Sequence, residues 1–131
     1  MKPNPPLPAQ LDVEPGHITV VLFSQPGCEF CAEVREHYLR PMLSAGRQPF
    51  AIAEADIESS APIRIWHGQD VAQRDFARAS GARFAPTVMF FDAQGHSLAE
   101  PIVGLSKDFF GAYLEQRLQA AAKESKTRRS A

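Results

Sequence analysis

The chain has 131 residues, 44% of them hydrophobic, and its charged side chains sum to −1 at pH 7. Such a length and balance fit one soluble globular domain with material for a real core, and give no reason to expect a nucleic-acid partner. There is no 18-residue apolar run to cross a membrane, and two cysteines are too few to build a disulfide scaffold.

The start, Met1-Lys2-Pro3-Asn4-Pro5-Pro6-Leu7-Pro8, is proline-rich and reads as an extended linker over residues 1–14. It lacks the apolar stretch of a signal peptide. Two origins fit it: the native protein begins here, or a targeting segment has been cut from a mature domain, and a bare spacer suits the second better.

Ile18-Thr19-Val20-Val21-Leu22-Phe23 reads as a fully buried strand over 18–24, and Ser24-Gln25-Pro26-Gly27 as a turn. Cys28-Glu29-Phe30-Cys31 follows at the strand-to-helix junction. A helix is expected from Cys28 to about Leu43, with Phe30, Val34, Tyr38 and Met42 along one face and Pro41 kinking or ending it near Arg40. Residues 50–57 read as a second strand. The pattern breaks from Glu58 to Gly68, where Ile63, Ile65 and Trp66 suggest a small packed insertion. Asp70 is placed to cap a helix over 71–80, with Gln73 in a capping box. Thr87-Val88-Met89-Phe90-Phe91 is a third strand, Asp92-Ala93-Gln94-Gly95 a loop, and residues 96–103 a fourth strand that closes a hairpin. Ser106 caps a last helix with an apolar stripe of Phe109, Phe110, Tyr113, Leu114 and Leu118. Residues 123–131 read as a disordered basic tail. The domain proper is therefore 15–122, an α/β unit whose mixed sheet carries helices on both faces.

Two thiols three positions apart at a helix start make a redox pair rather than a staple. Cys28, at the amino end, is expected to be the attacking thiolate, and Cys31, one turn further in, the resolving thiol. Glu29 beside Cys28 disfavours the thiolate and makes the pair more reducing, unless it is fully solvated. Phe30 is expected on a partner-binding rim. Four separate histidines (His17, His37, His67 and His96) give no metal set, so no metal and no cofactor are expected. Trp66 with His67 floors a docking surface or, for Trp66, simply joins the core. Arg35, Arg83, Arg128 and Arg129 read as solvated charges.

This order, with the paired cysteines and with Gly81-Ala82-Arg83-Phe84-Ala85-Pro86-Thr87 before the third strand, resembles the thioredoxin superfamily over roughly residues 15 to 120. Phe91–Gly95 followed by Val103-Gly104 resembles that family's hairpin and the glycine that a partner chain approaches. Leu22 and Gly27 stand where the family has a buried aspartate and a tryptophan, and Glu-Phe replaces Gly-Pro between the cysteines. The insertion at 58–68 and the tyrosine-bearing first helix are more similar to bacterial periplasmic thioredoxins that serve sulfur oxidation or cytochrome maturation.

The resemblance implies a thioredoxin fold and a monomeric thiol:disulfide oxidoreductase. Its partners are a disulfide-containing protein and a dithiol electron donor, and its setting is periplasmic, with the cytoplasm as the alternative. It implies a cis bond before Pro86, which keeps metals off the thiols, and a substrate-binding rim of Ala85, Thr87 and Gly104 beside Phe30. With Leu22 in place of the acid, Glu54 is expected to accept the Cys31 proton, with a pKa raised by apolar surroundings; a solvated strand carboxylate is the other reading. Two alternatives to the enzyme remain open at this point: a copper(I) carrier using both thiolates and a histidine, and a redox-inert adaptor.

Overall fold

Strand β1 (Ile18–Ser24) is buried at all seven positions, so it lies in the middle of the sheet with apolar layers on both sides. Its side chains alternate between two cores as a period of two requires. Val20 and Leu22 join one cluster, with Val34, Leu39, Phe90, Phe110, Leu114 and Leu118. Val21 and Phe23 join the other, with Ile63, Phe76, Met89 and Phe91.

The computed structural model describes residues 6–130. After β1 come α1 (Glu29–Val34), a π turn (Arg35–Leu39), α2 (Arg40–Ala45), β2 (Phe50–Asp56) and β3 (Pro62–Arg64). A 3₁₀ turn (Trp66–Gly68), β4 (Asp70–Ala72), α3 (Gln73–Ser80), β5 (Thr87–Phe91), β6 (Ile102–Val103) and α4 (Phe110–Ser130) complete the order. The main sheet runs β2-β1-β5-β6, with β1 parallel to β2 and antiparallel to β5. Helices cover both faces, α1 and α4 on one and α3 on the other. The architecture is the expected α/β class.

Pro41 neither ends nor sharply breaks the first helix, which continues to Ala45. The chain widens into the π turn just ahead of it, where the Arg40 amide bonds the Arg35 carbonyl five residues back. Loosening the ladder there makes room for a ring that has no N–H to give. The 58–68 insertion is a real unit, with β3 and β4 paired as a two-stranded ribbon. Asp70 belongs to that ribbon and is held by Arg64, so α3 starts at Gln73 without a side-chain cap. Gln73 is spent elsewhere, accepting the Asp56 amide at 2.8 Å. The expected fourth strand shrinks to a bridge at Ser97 and the two residues of β6, since Pro101 interrupts the ladder.

Both ends of the described residues depart from expectation; residues 1–5 of the expected linker and residue 131 of the expected tail lie outside them. Leu7 and Leu11 are buried, and the Pro8 carbonyl accepts the Glu54 amide at 2.9 Å. Ala9 and Leu11 exchange backbone bonds with Arg64, so residues 8–11 lie between β2 and β3 and do not hang free as a linker. At the other end, residues 123–130 are helical and not a disordered tail, because α4 still buries Ala121 and Ser125. Its stripe is Phe110, Leu114, Leu118 and Ala121, while Phe109 and Tyr113 face outward. Arg128 pairs with Glu124, and Arg129 donates to the Ser125 carbonyl.

Candidate active site

Three strand ends meet at one edge of the sheet. Ser24, closing β1, is in register with Asp56, closing β2, and Thr87, opening β5, lies opposite Phe23. The turn from Gln25 to Gly27 leads from this edge into α1, with Gly27 at φ +73°, which suits glycine.

Cys28 is the amino-terminal cap of α1. Its backbone is extended (φ −87°, ψ 103°), and its Sγ accepts the Cys31 amide at 3.1 Å. A donor aimed at that sulfur favours its charged form when the pair is reduced. Cys28 and Cys31 are joined by a disulfide, with Cα atoms 5.2 Å apart. Cys28 is half-buried, whereas Cys31 is completely buried. Phe30, between them, is 53% exposed.

Cys28 lines a cleft of about 740 Å³ together with Ser24, Glu29, Arg35, Glu54 and Asp56. Glu54, beside Leu22 in the β1–β2 register, is 5% exposed and fully engaged. It accepts from Ser24 Oγ at 2.6 Å, from the Leu7 amide at 3.0 Å, and from Arg35 Nε and Nη2 at 2.8 and 2.6 Å. Burial pushes its carboxyl up, but the bonds from Arg35, Ser24 and Leu7 outweigh burial and hold it below the ordinary value. This corrects the raised pKa expected of a proton acceptor, and the solvated-carboxylate reading with it. Arg35 is likewise no solvated charge: its guanidinium is mostly buried, and the Glu54 bonds raise its pKa.

Sequence reasoning missed Arg35, Ser24 and Leu7 as partners. For Arg35 a signal existed, since positions four and seven beyond Cys28 return to its helical face and place Ala32 and Arg35 there. Leu7 gave none, because a strand-edge contact 47 residues away leaves no local pattern.

The expected rim is only partly accessible. The Ala85–Pro86 bond is cis, as is Gln48–Pro49. Ala85 is half-buried, and Gly104, at φ +81°, has open space where a side chain would stand. Its amide donates to the Pro86 carbonyl at 2.8 Å, tying the two segments together. Thr87 is a correction: at 2% exposure it cannot touch a partner, and its Oγ1 donates to the Phe84 carbonyl at 2.7 Å. The exposed side chains beside it are Phe84 and Val103, at 69% and 63%. Trp66 is half-buried against Phe76 and Phe91, at centroid distances of 5.7 and 5.5 Å, and belongs to the second core. Among the described residues, no group of three or more His, Cys, Asp or Glu side chains is placed to hold a metal ion.

The thioredoxin-like domain family model matches residues 13–118, most of the chain. The chain belongs to the thioredoxin-like family. Among solved structures, the fold is similar to thioredoxin O2 from Arabidopsis thaliana, at TM-score 0.55 and 19% identity, covering 77% of this chain and 75% of that one. It is also similar to the periplasmic thioredoxin SoxS from Paracoccus pantotrophus, at 0.51 and 18%, covering 80% and 99%. A Malassezia sympodialis thioredoxin gives 0.55 and 17%, covering 79% of each chain. No curated protein matches the sequence. These family members share the fold with this chain; its own chemistry rests on the cysteine pair. No helix is long and apolar enough to cross a membrane among the described residues.

Proposed function

We propose that the protein is a thiol:disulfide oxidoreductase acting on disulfides of partner proteins, with Cys28 as attacking thiol and Cys31 as resolving thiol. One observation carries this reading: the Sγ of half-buried Cys28 receives the Cys31 amide at a helix start, while Cys31 is wholly buried. In the reductive direction the Cys28 thiolate attacks a partner sulfur, the partner's S–S bond breaks, and one partner sulfur leaves as thiolate. Cys31 then loses its proton and attacks Cys28 Sγ, releasing the second partner sulfur. Two electrons pass to the partner, and an external dithiol restores the Cys28–Cys31 pair. Phe30, Ala85 and Gly104 form the substrate rim with Phe84 and Val103, and Pro86 shapes that rim behind Ala85. Glu54 holds Arg35, Ser24 and Leu7 together under the site.

The reading favours an enzyme over a copper(I) carrier, because no third ligand group stands with the cysteines among the described residues. Insulin reduction separates it from a redox-inert adaptor. The periplasmic SoxS neighbour supports an extracytoplasmic setting over the cytoplasm. The deciding experiment is trapping. Cys31→Ser accumulates mixed disulfides with partners and Cys28→Ser accumulates none; equal trapping by both sinks the assignment. A measured potential then sets direction, with values near about −270 mV marking a reductant and near about −120 mV an oxidant.

A further inference from the structure

The cleft beside Cys28 has a charge as well as a shape. Among the described residues its ionisable lining is Glu29, Glu54 and Asp56 against one cation, Arg35. Arg35 is committed to Glu54 through two nitrogens, so that pair cancels. Glu29 and Asp56 remain, and neither enters an ion pair among the described residues. Glu29 is exposed directly after Cys28. Asp56 closes β2 in register with Ser24 and uses Oδ1 to accept the Glu58 amide at 2.8 Å. The cleft is therefore an open, doubly anionic space on a molecule whose whole net charge is only −1.

The reactive sulfur lines this same space. A partner joined to Cys28 sits at the mouth of this cleft, beside the rim of Phe30, Ala85 and Gly104, and so within reach of the cleft's charge. Resting on the oxidoreductase reading above, we infer that the cleft selects partners with a cationic side chain beside the disulfide being exchanged, a lysine or arginine next to the partner's cysteine. Glu29 and Asp56 are the specificity-determining residues. They attract that cation and repel an acidic neighbour, so discrimination has both an attractive and a repulsive element. The volume suits a long basic side chain with its flanking backbone.

The test uses full-length protein reduced with a dithiol and freed of it, and three small disulfides of defined charge. Cystamine is dicationic, bis(2-hydroxyethyl) disulfide neutral, and 3,3′-dithiodipropionate dianionic. Each is reduced by the same two-electron exchange, yielding two small thiols and the Cys28–Cys31 disulfide. The readout is the ratio of the cystamine to the dithiodipropionate rate constant, in which the thiolate fraction of Cys28 cancels. The ratio is expected to exceed one, to fall by about fivefold in Glu29→Gln, and to fall again when Asp56→Asn is added. Asparagine keeps an acceptor for the Glu58 amide, so the turn is preserved. In wild type the ratio is expected to collapse between about 10 mM and about 1 M salt. A ratio that the double variant leaves within twofold, or that salt leaves unmoved, overturns the inference while brisk exchange with all three disulfides upholds the oxidoreductase reading. Failure to exchange with any of them overturns both.

Discussion

Glu54 shows how little room a buried carboxylate has once its bonds are assigned. Removing Arg35 leaves that charge in the interior without its cation, and Arg35→Met is expected to destabilise the protein by about 2–4 kcal/mol in urea unfolding. A cost under about 0.5 kcal/mol would mean that water readily replaces the guanidinium. The folded carboxyl titrates below its ordinary value of 4.5, so its contribution is complete above that pH and is lost as pH falls through the lower folded value. Wild type should therefore lose stability below about pH 4.5 more steeply than Glu54→Gln, and equal slopes would contradict the assignment. At this scale the sequence was legible where chemistry is written locally. Cys28, Cys31, Phe30 and Pro86 sit in short motifs with a physical reading. The role of Glu54 was not, because its pKa depends on partners from the π turn, β1 and the amino-terminal segment that only folding assembles.

At the scale of elements, strands β1, β2 and β5 and the first and last helices were legible from apolar period and turn residues. Misreadings arose where a polar residue had two possible partners. Asp70 suits a helix cap, but Arg64 claims it across the ribbon, and Gln73 bonds the end of β2. Proline content alone suggested a linker at the start, yet Leu7 and Leu11 each fill a different core. Leu11 is wholly buried, so Leu11→Ala is expected to cost about 2–5 kcal/mol. A flexible spacer would tolerate the change within about 0.5 kcal/mol, and urea unfolding distinguishes the two. Gly95, at φ +93°, packs against the face of Trp66, where a methyl group would overlap the indole. That contact pins the loop after β5 onto the 58–68 insertion, which no local pattern announces.

For the whole molecule, the decisive feature is that one strand serves both cores. Val20 and Leu22 face one layer and Val21 and Phe23 the other, so neither layer survives loss of β1. Unfolding is expected to be a single cooperative transition. Trp66 is the only tryptophan and belongs to the second core, so its fluorescence reports one layer while far-ultraviolet dichroism reports α4 and the other helices. The two urea curves should coincide, and separated midpoints would show that the layers come apart independently.

Residues 8–11 have a consequence for behaviour in concentrated solution. Pro8 covers the outer side of β2 at Glu54, and residues 9–11 bridge from there to Arg64, where β2 would otherwise present a bare edge to any similar strand it met. A protein nicked or shortened through this segment would lose the packing of Leu7 and Leu11 and gain an adhesive margin. Such a species should form strand-paired multimers as its concentration rises, visible as growing mass in light scattering, while the intact chain stays of constant size.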